Sequence, residues 1–321
     1  MTDTAETPYR KVVMIGAGPS ALAAAVYTTR EDLDTLLYEK AVIGGLAAIT
    51  DWVDNYPGFP EGIEGLKLAE ALQGQAERFG ADIQFGEVTR ILRNDKEDLI
   101  VETTDGNVRA GAVLIATGSD YKKIGVPGEK EYYGRGVHYC ATCDGAFYRD
   151  KRLVVVGGGN SAVQEALFLT RFTSHIDLLV RSTVRASEVL QKDLDEAVEA
   201  GKITVHLETS TDEIVAENGS VTKVRGTHDG KAVEFACDGV FVFVGLLPNT
   251  QFLANSDVEL DEVGLIKTNA HLETSMSGVF ASGDVRSGAT MQIASAVGEG
   301  ATAALKIREY LEEQERKTAL V

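Results

Sequence analysis

The feature that most constrains this chain is a strand, glycine turn and helix pattern that occurs twice. Lys11-Val-Val-Met-Ile15 is typical of a buried strand, and Gly16-Ala-Gly18-Pro-Ser-Ala21 follows it as a tight turn into an alanine-rich helical stretch. Leu153-Val-Val-Val156 leads in the same way into Gly157-Gly-Gly159-Asn-Ser-Ala162. The repeat predicts two copies of one nucleotide-binding unit.

Each turn has the residues needed to hold a pyrophosphate. The first glycine forms the turn, the second lets the backbone approach the phosphates, and Ala21 or Ala162 keeps the helix close to the strand. The phosphates are then expected at the helix N-terminus, whose free N–H groups and dipole favour anions. A single turn of this kind could bind nothing, but two copies between strand and helix favour two dinucleotide sites.

The strand after each turn indicates which dinucleotide is bound. Thr35-Leu-Leu-Tyr38 ends in Glu39, an acid placed to bind the hydroxyls of an adenosine ribose, which favours FAD or NAD. In the second copy, Asp177-Leu-Leu-Val180 has an apolar residue at that position, followed by Arg181 and Arg185. Arginines there suit a 2′-phosphate, so this site favours NADPH. The alternative is that both arginines lie in a solvated loop.

Three further apolar segments complete the plan of the chain. Ala112-Val-Leu-Ile-Ala-Thr-Gly118 and Gly239-Val-Phe-Val-Phe-Val-Gly245 are strands ended by glycine, and each is expected where the chain crosses between two domains. Gly278-Val-Phe-Ala-Ser-Gly-Asp284 predicts a strand ended by an acid. Met291-Gln292 begins an Ala- and Gly-rich helix to about Glu313, and its positive end is expected to face a flavin pyrimidine ring, which becomes anionic on reduction.

Charge and composition exclude several classes of protein. The 321 residues include 49 Asp and Glu against 31 Lys and Arg, and the net charge of −18 disfavours nucleic acid and anionic membranes as partners. No apolar run approaches the roughly 20 residues of a membrane span. The segment from Met1 to Pro8 lacks the basic and apolar regions of a signal peptide. We therefore expect a cytoplasmic protein of two domains.

Two of the three cysteines form Cys140-Ala-Thr-Cys143, whose spacing indicates redox or metal chemistry in a reducing compartment. Zinc would require two further ligands, and only Cys237 and nearby His138 remain, so no metal site is predicted. A dithiol near a helix start can exchange through mixed disulfides, and Asp144 is placed to shuttle the proton. Cys237, ahead of an apolar strand, is expected to be a packed core thiol.

From Tyr9 to about Glu313 the chain resembles the low-molecular-weight thioredoxin reductases. The motifs that carry the resemblance are Gly16-Ala-Gly-Pro-Ser-Ala21, Asn55-Tyr-Pro-Gly-Phe59, Ala116-Thr-Gly118, Gly134-Arg-Gly-Val137, Cys140-Ala-Thr-Cys-Asp-Gly145, Gly157-Gly-Gly-Asn-Ser-Ala162, Pro248-Asn-Thr250 and Ala281-Ser-Gly-Asp-Val285. The resemblance implies an α/β fold of two Rossmann-like dinucleotide-binding domains, the second inserted into the first.

The resemblance also implies domain boundaries, partners and motion. Residues 1–119 and 250–321 would form a discontinuous FAD-binding domain, and residues 120–249 an NADPH-binding domain that carries the CxxC motif. A homodimer and a thioredoxin or thioredoxin-like partner are implied as well. The family rotates one domain against the other, and the hinges are expected near Gly118 to Lys123 and Gly245 to Thr250.

Individual roles follow from the same resemblance. Cys143 would be the sulfur nearest the flavin, Cys140 would attack the substrate disulfide, and Asp144 would serve as the acid. The expected FAD-binding residues are Gly16, Gly18, Ser20, Ala21, Glu39, Lys40, Gly45, Leu46, Asn55, Ala116, Thr117, Gly118, Asp284, Met291, Gln292 and Ile293. The expected NADPH-binding residues are Gly157, Gly159, Asn160, Ser161, Ala162, Arg181 and Arg185.

Four positions depart from the family pattern. Val180-Arg181-Ser182 with Arg185 lacks one phosphate-binding arginine, which is expected to weaken NADPH binding. Gly44-Gly45-Leu46 and Met291-Gln292 replace polar flavin contacts by apolar ones, which is expected to change the flavin potential. Ala146-Phe147 has one aromatic ring fewer for docking a thioredoxin.

The leading hypothesis is a flavoenzyme that passes electrons from NADPH through FAD and the Cys140/Cys143 dithiol to a thioredoxin-like disulfide. Two alternatives keep the fold and the dithiol, and both are compatible with the absence of one phosphate-binding arginine. One is a ferredoxin-dependent flavin thioredoxin reductase, and the other is a dithiol oxidase that makes small-molecule disulfides with oxygen. A sensor or scaffold without turnover is disfavoured, because the CxxC motif followed by Asp144 is a complete redox centre.

Overall fold

The computed structural model describes residues 7–50, 52–94 and 98–319 of the chain. The chain divides into two compact units, a terminal unit made of Met1–Asp120 with Leu247–Val321, and an inserted unit made of Tyr121–Leu246. Residues 1–6, which belong to the segment expected to lack a targeting signal, lie outside the described residues.

The terminal unit is built on a seven-stranded sheet. Its strands are β1 (Tyr9–Ile15), β2 (Thr35–Glu39), β3 (Asp82–Phe85), β4 (Val88–Arg93), β5 (Leu99–Thr103), β6 (Gly106–Ile115) and β17 (Val279–Ala281). The order is β3-β2-β1-β6-β5-β4, and β17 pairs with the carboxyl half of β6. Strands β3, β2, β1, β6 and β17 are parallel, whereas β4 and β5 form an antiparallel extension. Its helices are α1 (Pro19–Arg30), α2 (Gly45–Ala48), α3 (Gly65–Arg78) and α7 (Ile293–Ala319).

Both faces of β1 are buried, as the continuous apolar run in its sequence predicts for a parallel strand. Val12 and Met14 pack on the face covered by α1 and α7, and Val13 and Ile15 pack on the opposite face. Because successive side chains of a strand point to opposite faces, one short segment contributes to two separate cores.

Helices α1 and α7 approach each other closely because both are rich in alanine. Ala21, Ala25, Ala303 and Ala304 are buried in the same core cluster between them. At Gly300 the approach is so close that a Cβ atom would overlap the carbonyl oxygen of Ser20. The small residues of α7 therefore hold this long helix against the first glycine turn.

The inserted unit repeats the plan of the terminal one. Its main sheet consists of β8 (Val137–His138), β9 (Arg152–Val156), β10 (His175–Leu179), β11 (Ile203–His206) and β15 (Gly239–Val242), all parallel in the order β11-β10-β9-β15-β8. A second, antiparallel sheet contains β12 (Thr209–Glu217), β13 (Ser220–His228) and β14 (Lys231–Ala236). The helices are α4 (Ala141–Asp144), α5 (Asn160–Leu169) and α6 (Glu188–Glu199).

Short elements complete the structure. Strands β7 (Ser119–Tyr121) and β16 (Leu246–Pro248) pair in a two-stranded sheet where the chain passes from one unit to the other. Short 3-10 helices occupy Gly145–Tyr148, Gln251–Leu253 and Gly283–Val285. Within the described ranges, no helix is long and apolar enough to cross a lipid bilayer.

The predicted α/β fold, with one Rossmann-like unit inserted into another, is confirmed. Helix α7 continues beyond the expected end at Glu313, as far as Ala319. Ion pairs between Glu312 and Arg316 and between Glu313 and Lys317 bridge successive turns of this exposed extension, and the two basic residues favour the helix C-terminus.

The contact between α1 and α7 can be tested by adding a single methyl group. Gly300→Ala should lower the thermal unfolding midpoint, because the new Cβ overlaps the Ser20 carbonyl and separating packed elements costs about 1–3 kcal/mol. Gly298→Ala is the matched control on the same helix, since its Cβ meets open space and alanine favours helix by up to about 1 kcal/mol. Circular dichroism melts measure both variants. A Gly300→Ala midpoint as high as that of Gly298→Ala would contradict the close contact.

Candidate functional site

The predicted FAD-side residues gather at the carboxyl edge of the parallel strands of the terminal unit. The turn that follows β1 and the start of α1 contain Gly16, Gly18, Ser20 and Ala21. Glu39 is the last residue of β2, and exposed Lys40 comes directly after it. The segment after β6 contains Ala116, Thr117 and Gly118, and Asp284 follows β17. Gly45 and Leu46 begin α2, Asn55 lies in the loop before α3, and Met291, Gln292 and Ile293 lie at the start of α7. Ligands of doubly wound α/β folds bind at this edge of the sheet.

The first glycine turn is shaped by one close backbone approach and one open space. Gly16 has φ +93°, and a Cβ there would come within 2.6 Å of the Ala116 carbonyl oxygen, so only glycine fits between β1 and β6. At Gly18 a Cβ would meet nothing within 4 Å, and the space beside the N-terminus of α1 is open. The turn therefore fits a pyrophosphate.

Glu39, at the end of the neighbouring strand β2, stabilises this turn by hydrogen bonds to the backbone. Its buried carboxylate accepts the Ala17 N–H on Oε2 and the Ala41 N–H on Oε1, each at 2.8 Å. The Gly44 N–H donates to the Ala17 carbonyl at 2.8 Å, which brings the start of α2 to the same turn. A carboxylate has about four acceptor positions. Glu39 can therefore hold the backbone and still accept hydrogen bonds from ribose hydroxyls.

Asp284 is a half-buried acid of the site. Burial, with a smaller contribution from Glu299, raises the pKa of its carboxyl group to about 6. Its main-chain carbonyl accepts a hydrogen bond from Ser119 Oγ at 2.6 Å, but no described residue donates to its side chain. An ionised carboxylate in such surroundings favours a ligand that brings its own donors, and the hydroxyls of a ribityl chain meet that requirement.

The turn that carries Asp284 is held by an ion pair that the sequence analysis did not identify. Glu299 on α7 contacts Arg286 at 2.5 Å and accepts the Gly283 N–H at 2.8 Å. Both charged side chains are largely buried. The signal for Glu299 was its position as the only acid between two glycines of a small-residue helix, Gly298-Glu299-Gly300.

Two more side-chain contacts bring distant motifs together. Asn55 Nδ2 donates to Gln292 Oε1 at 3.0 Å, so the loop before α3 reaches the start of α7. Thr117 Oγ1 donates to the Asn249 carbonyl at 2.7 Å, and Asn249 Nδ2 donates back to the Thr117 carbonyl at 3.0 Å. Met291 has φ +56°, a left-handed conformation that is strained for a residue with a side chain.

The second glycine turn, in the inserted unit, repeats the geometry of the first. Gly157 has φ +143°, and a Cβ there would overlap the carbonyl oxygen of Phe243, whereas a Cβ at Gly159 would meet nothing within 4 Å. Asn160 and exposed Ser161 begin α5, and buried Ala162 packs α5 against the strand. Of the predicted NADPH-side glycines, Gly159 therefore faces open space at a helix N-terminus, as Gly18 does in the first turn.

Arg181 and Arg185 lie beside this turn after β10. The Arg185 N–H donates to the Gly158 carbonyl at 2.6 Å, which fixes the arginine loop to the turn. Both side chains are exposed, and neither guanidinium has a carboxylate partner among the described residues. Asn160 Oδ1 accepts the Ser187 N–H at 2.8 Å and ties α5 to the end of the same loop. Two unneutralised cations next to an anion-binding turn suit a phosphorylated ribose.

The CxxC motif is a disulfide at the start of α4. Cys140 caps the helix and is bonded to Cys143, with 5.3 Å between their Cα atoms. The Cys143 N–H points at Cys140 Sγ at 3.2 Å, and both cysteines are partly exposed. Asp144 follows in the same helical turn, and its side chain is 22% exposed. A partly exposed disulfide with an adjacent carboxylate can undergo thiol–disulfide exchange with proton transfer.

The remaining cysteine and the histidine near the motif have other surroundings. Cys237 is buried, as predicted, and burial raises the pKa of its thiol to about 12. His138 contacts Asp144 and Tyr148. The described part of the chain contains no cluster of three or more His, Cys, Asp or Glu side chains arranged to hold a metal ion. Tyr148 is a residue of this site that the sequence analysis missed.

Comparison with known proteins shows which family the chain is similar to. Residues 10–300 match the pyridine nucleotide-disulphide oxidoreductase family. The thioredoxin reductase of Bacillus subtilis (strain 168) is 44% identical over 305 residues, which cover 94% of this chain and 95% of the relative. That of Listeria monocytogenes serovar 1/2a is 40% identical over 94% of each chain.

A solved structure gives the same result. The crystal structure of thioredoxin reductase from Streptococcus pyogenes MGAS5005 matches with a TM-score of 0.89 and 37% identity, and the match covers 96% of this chain and 100% of that one. The relatives and the solved structure match nearly the whole length of the chain, and the family match over residues 10–300 spans both glycine turns and the CxxC motif. The chain therefore belongs to the pyridine nucleotide-disulphide oxidoreductase family, and within it to the low-molecular-weight thioredoxin reductases.

Proposed function

We propose that this protein is an NADPH-dependent thioredoxin-disulfide reductase that uses FAD and the Cys140–Cys143 pair. The observation that carries the proposal is the disulfide at the start of α4, partly exposed and followed by Asp144, in a chain with two glycine turns shaped for dinucleotides. When bound, FAD supplies the two-electron chemistry that links a nicotinamide to a disulfide.

The exchange with thioredoxin balances with these residues. Two electrons cleave the Cys140–Cys143 bond and leave two sulfur nucleophiles. Cys140 attacks the thioredoxin disulfide, forms a mixed disulfide and expels one thioredoxin thiolate. Cys143 then attacks Sγ of Cys140, which re-forms the intramolecular disulfide and expels the second thiolate. The two expelled thiolates take up two protons, and Asp144 is the proton carrier beside the sulfurs.

We assign the FAD-binding domain to residues 1–119 and 250–321, and the NADPH-binding domain to residues 120–249. The fit of FAD to the first domain rests on the open space at Gly18, the acceptor capacity of Glu39 and the half-buried carboxylate of Asp284. The fit of NADPH to the second rests on the open space at Gly159 and on the guanidinium groups of Arg181 and Arg185, which no carboxylate of the described residues neutralises.

The surface beside the dithiol suits a protein partner. Phe147 is 51% exposed and lies at the edge of a cleft of about 350 Å³, which is also lined by Arg135, Lys151 and Asp238. We assign the docking of thioredoxin to this surface. An exposed aromatic ring with charged neighbours is typical of an interface anchor. Thioredoxin binding unaffected by Phe147→Ala would argue against this assignment.

We also propose a cytoplasmic homodimer. Exposed Ile49, Trp52 and Leu66 lie on neighbouring segments, which are joined by the hydrogen bond from the Gly65 N–H to the Thr50 carbonyl, and an interface would bury these apolar side chains. A reducing compartment suits the free thiol of Cys237 and a dithiol that cycles. A sedimentation mass equal to the 34.4 kDa of one chain would contradict the dimer.

The proposed function is tested by separating flavin reduction from disulfide exchange. Cys143→Ser should abolish thioredoxin reduction while NADPH still bleaches the flavin absorbance, because the entry point into the disulfide is lost. Cys140→Ser should also lose turnover but keep a thiol beside the flavin. Anaerobic stopped-flow reduction with NADPH, NADH and reduced ferredoxin, side by side, measures the first step. If reduced ferredoxin bleaches the flavin rapidly and neither NADPH nor NADH does so, the ferredoxin-dependent alternative is favoured.

The arginine loop predicts the choice of nucleotide. Arg181 and Arg185 can each donate charge-assisted hydrogen bonds to a 2′-phosphate, whereas Ser182 offers one neutral donor. Ser182→Arg should therefore tighten NADPH binding with little effect on NADH, and Arg181→Ala should erase the preference for NADPH. Titrations with both nucleotides provide the measurement. Equal binding of NADPH and NADH by the wild type, unchanged in Arg181→Ala, would mean that the loop is merely solvated.

Asp284 predicts opposite effects on stability and on flavin binding. Because the pKa of about 6 in the folded state lies above the unfolded value of about 3.9, the stability linked to this group is complete at low pH and is lost as pH rises through about 6. Asp284→Asn should therefore raise the melting point of the flavin-free protein at pH 7.5 and change it little at pH 4. The same change should weaken FAD by about 1.5–3 kcal/mol, the value of a hydrogen bond to a charged group.

Melting of the flavin-free variant at the two pH values and titration with FAD test both parts. A Leu253→Val variant, which shortens a buried side chain of the same unit, is the control, because its change in melting point should not depend on pH. Equal effects of Asp284→Asn at both pH values would show that the carboxyl group does not titrate as described.

A further inference from the structure

The proton carrier assigned above has a buried imidazole beside it. His138, the last residue of β8, is 5% exposed, and its ring stacks on Phe241 with 5.1 Å between centroids. Nδ1 lies 3.2 Å from Asp144 Oδ2, and Nε2 lies 2.7 Å from the hydroxyl of Tyr148. Both ring nitrogens therefore face polar groups, and the packed ring is held in one orientation.

The carboxylate of Asp144 only accepts hydrogen bonds, so Nδ1 is the ring nitrogen that donates, and Nε2 accepts from the hydroxyl of Tyr148. Burial, followed by the charge of Asp144, raises the pKa of Tyr148, so its phenol stays protonated. A phenol that donates to Nε2 leaves the proton of a neutral imidazole on Nδ1. Nδ1–H then faces the carboxylate of Asp144. The hydrogen bonds therefore run in one direction: the Tyr148 phenol donates to His138, and His138 donates to Asp144 beside the dithiol.

The other charged and titratable groups near the network surround Tyr148. Asp238 and Cys237, which precede β15, also raise the pKa of Tyr148. Lys151 Nζ lies 5.7 Å from the centre of the Tyr148 ring. Asp144 is the carboxylate that faces the imidazole itself.

We propose that His138 is a positioning residue for Asp144, and that it holds one carboxylate oxygen through Nδ1–H so that the other is available to the Cys140–Cys143 pair. The inference rests on the proposed function, because it assigns to Asp144 the proton transfer of that exchange. The side-chain contacts that place His138 are those with Asp144, Tyr148 and Phe241. Its effect is to fix the rotation of a partly exposed carboxylate and to stabilise its charge.

Two isosteric substitutions separate the ring nitrogens. His138→Asn places an amide N–H where Nδ1 lies and keeps a donor for Asp144, whereas His138→Gln places its amide near Nε2 and faces Tyr148. His138→Asn should keep thioredoxin-dependent kcat within about twofold of the wild type. His138→Gln should lose about tenfold in kcat, well below the roughly 10²–10⁴-fold of a complete acid–base group, with KM for thioredoxin unchanged.

A second measurement does not need thioredoxin turnover. The flavin-loaded protein is reduced with dithiothreitol, and the rate of alkylation of its cysteines by iodoacetamide is followed against pH. His138→Gln should move this profile to higher pH, because a carboxylate without its donor opposes a neighbouring thiolate more strongly. His138→Asn should leave the profile in place. The alkylation assay contains no thioredoxin, so it tests the role of His138 even if thioredoxin is not the substrate. A failure of the proposed function would appear only in the thioredoxin assay.

The coupling to Asp144 is tested in the same assay. In an Asp144→Asn background, His138→Gln should cause no further shift, since the carboxylate through which it acts is gone. Equal losses in His138→Asn and His138→Gln, or an added shift in the Asp144→Asn background, would overturn the proposal. If the His138 variants fold poorly, Tyr148→Phe keeps the ring and removes the donor to Nε2. It should move the profile in the same direction, and an unchanged profile would likewise overturn the proposal.

Discussion

The close approach of backbone to backbone at the two glycine turns is the constraint on which both nucleotide sites depend. Each turn follows a buried parallel strand and must pass the carbonyl oxygen of a neighbouring segment, Ala116 in one unit and Phe243 in the other. A side chain at Gly16 or Gly157 would occupy that space, so the helix behind could not present its free N–H groups at the carboxyl edge. Glu39 then fixes the first turn by accepting two backbone hydrogen bonds.

Near the first glycine turn, the carboxyl group of Asp284 lowers the stability of the flavin-free protein but favours the binding of a flavin. Asp284 carries a carboxyl group that the folded chain leaves without a side-chain donor among the described residues, while the nearby Glu299 is neutralised by Arg286 and by a backbone N–H. A half-buried carboxylate to which no described side chain donates destabilises the protein alone and favours a ligand rich in hydroxyl groups. The ion pair keeps the turn in place while its neighbouring acid remains available.

The dithiol has a different kind of support. Cys140 and Cys143 lie on a single short helical turn, where local geometry alone brings the sulfurs into bonding distance. The groups that would control their protons come from further away, because Tyr148 lies on a 3-10 helix and His138 at the end of a strand. In the proposed NADPH site, Arg181 and Arg185 with Ser182 between them supply one arginine fewer than the family pattern that the chain resembles. The chain thus keeps the complete CxxC motif but lacks one arginine of the NADPH-binding motif.

The sequence by itself determined the strands beside the two glycine turns, the turns, the helices that follow them and the redox pair, because apolar runs, turn glycines and CxxC spacing are local features of the chain. It also indicated Glu39 and Asp284, since each ends a recognisable strand segment. Only the tertiary structure decided which side chains meet. Asn55 reaches Gln292, Arg286 pairs with Glu299, and His138, first considered as a metal ligand, faces Asp144 and Tyr148. These pairs depend on how strands and helices stack, and no local pattern specifies the rotation of a side chain toward a partner on another element.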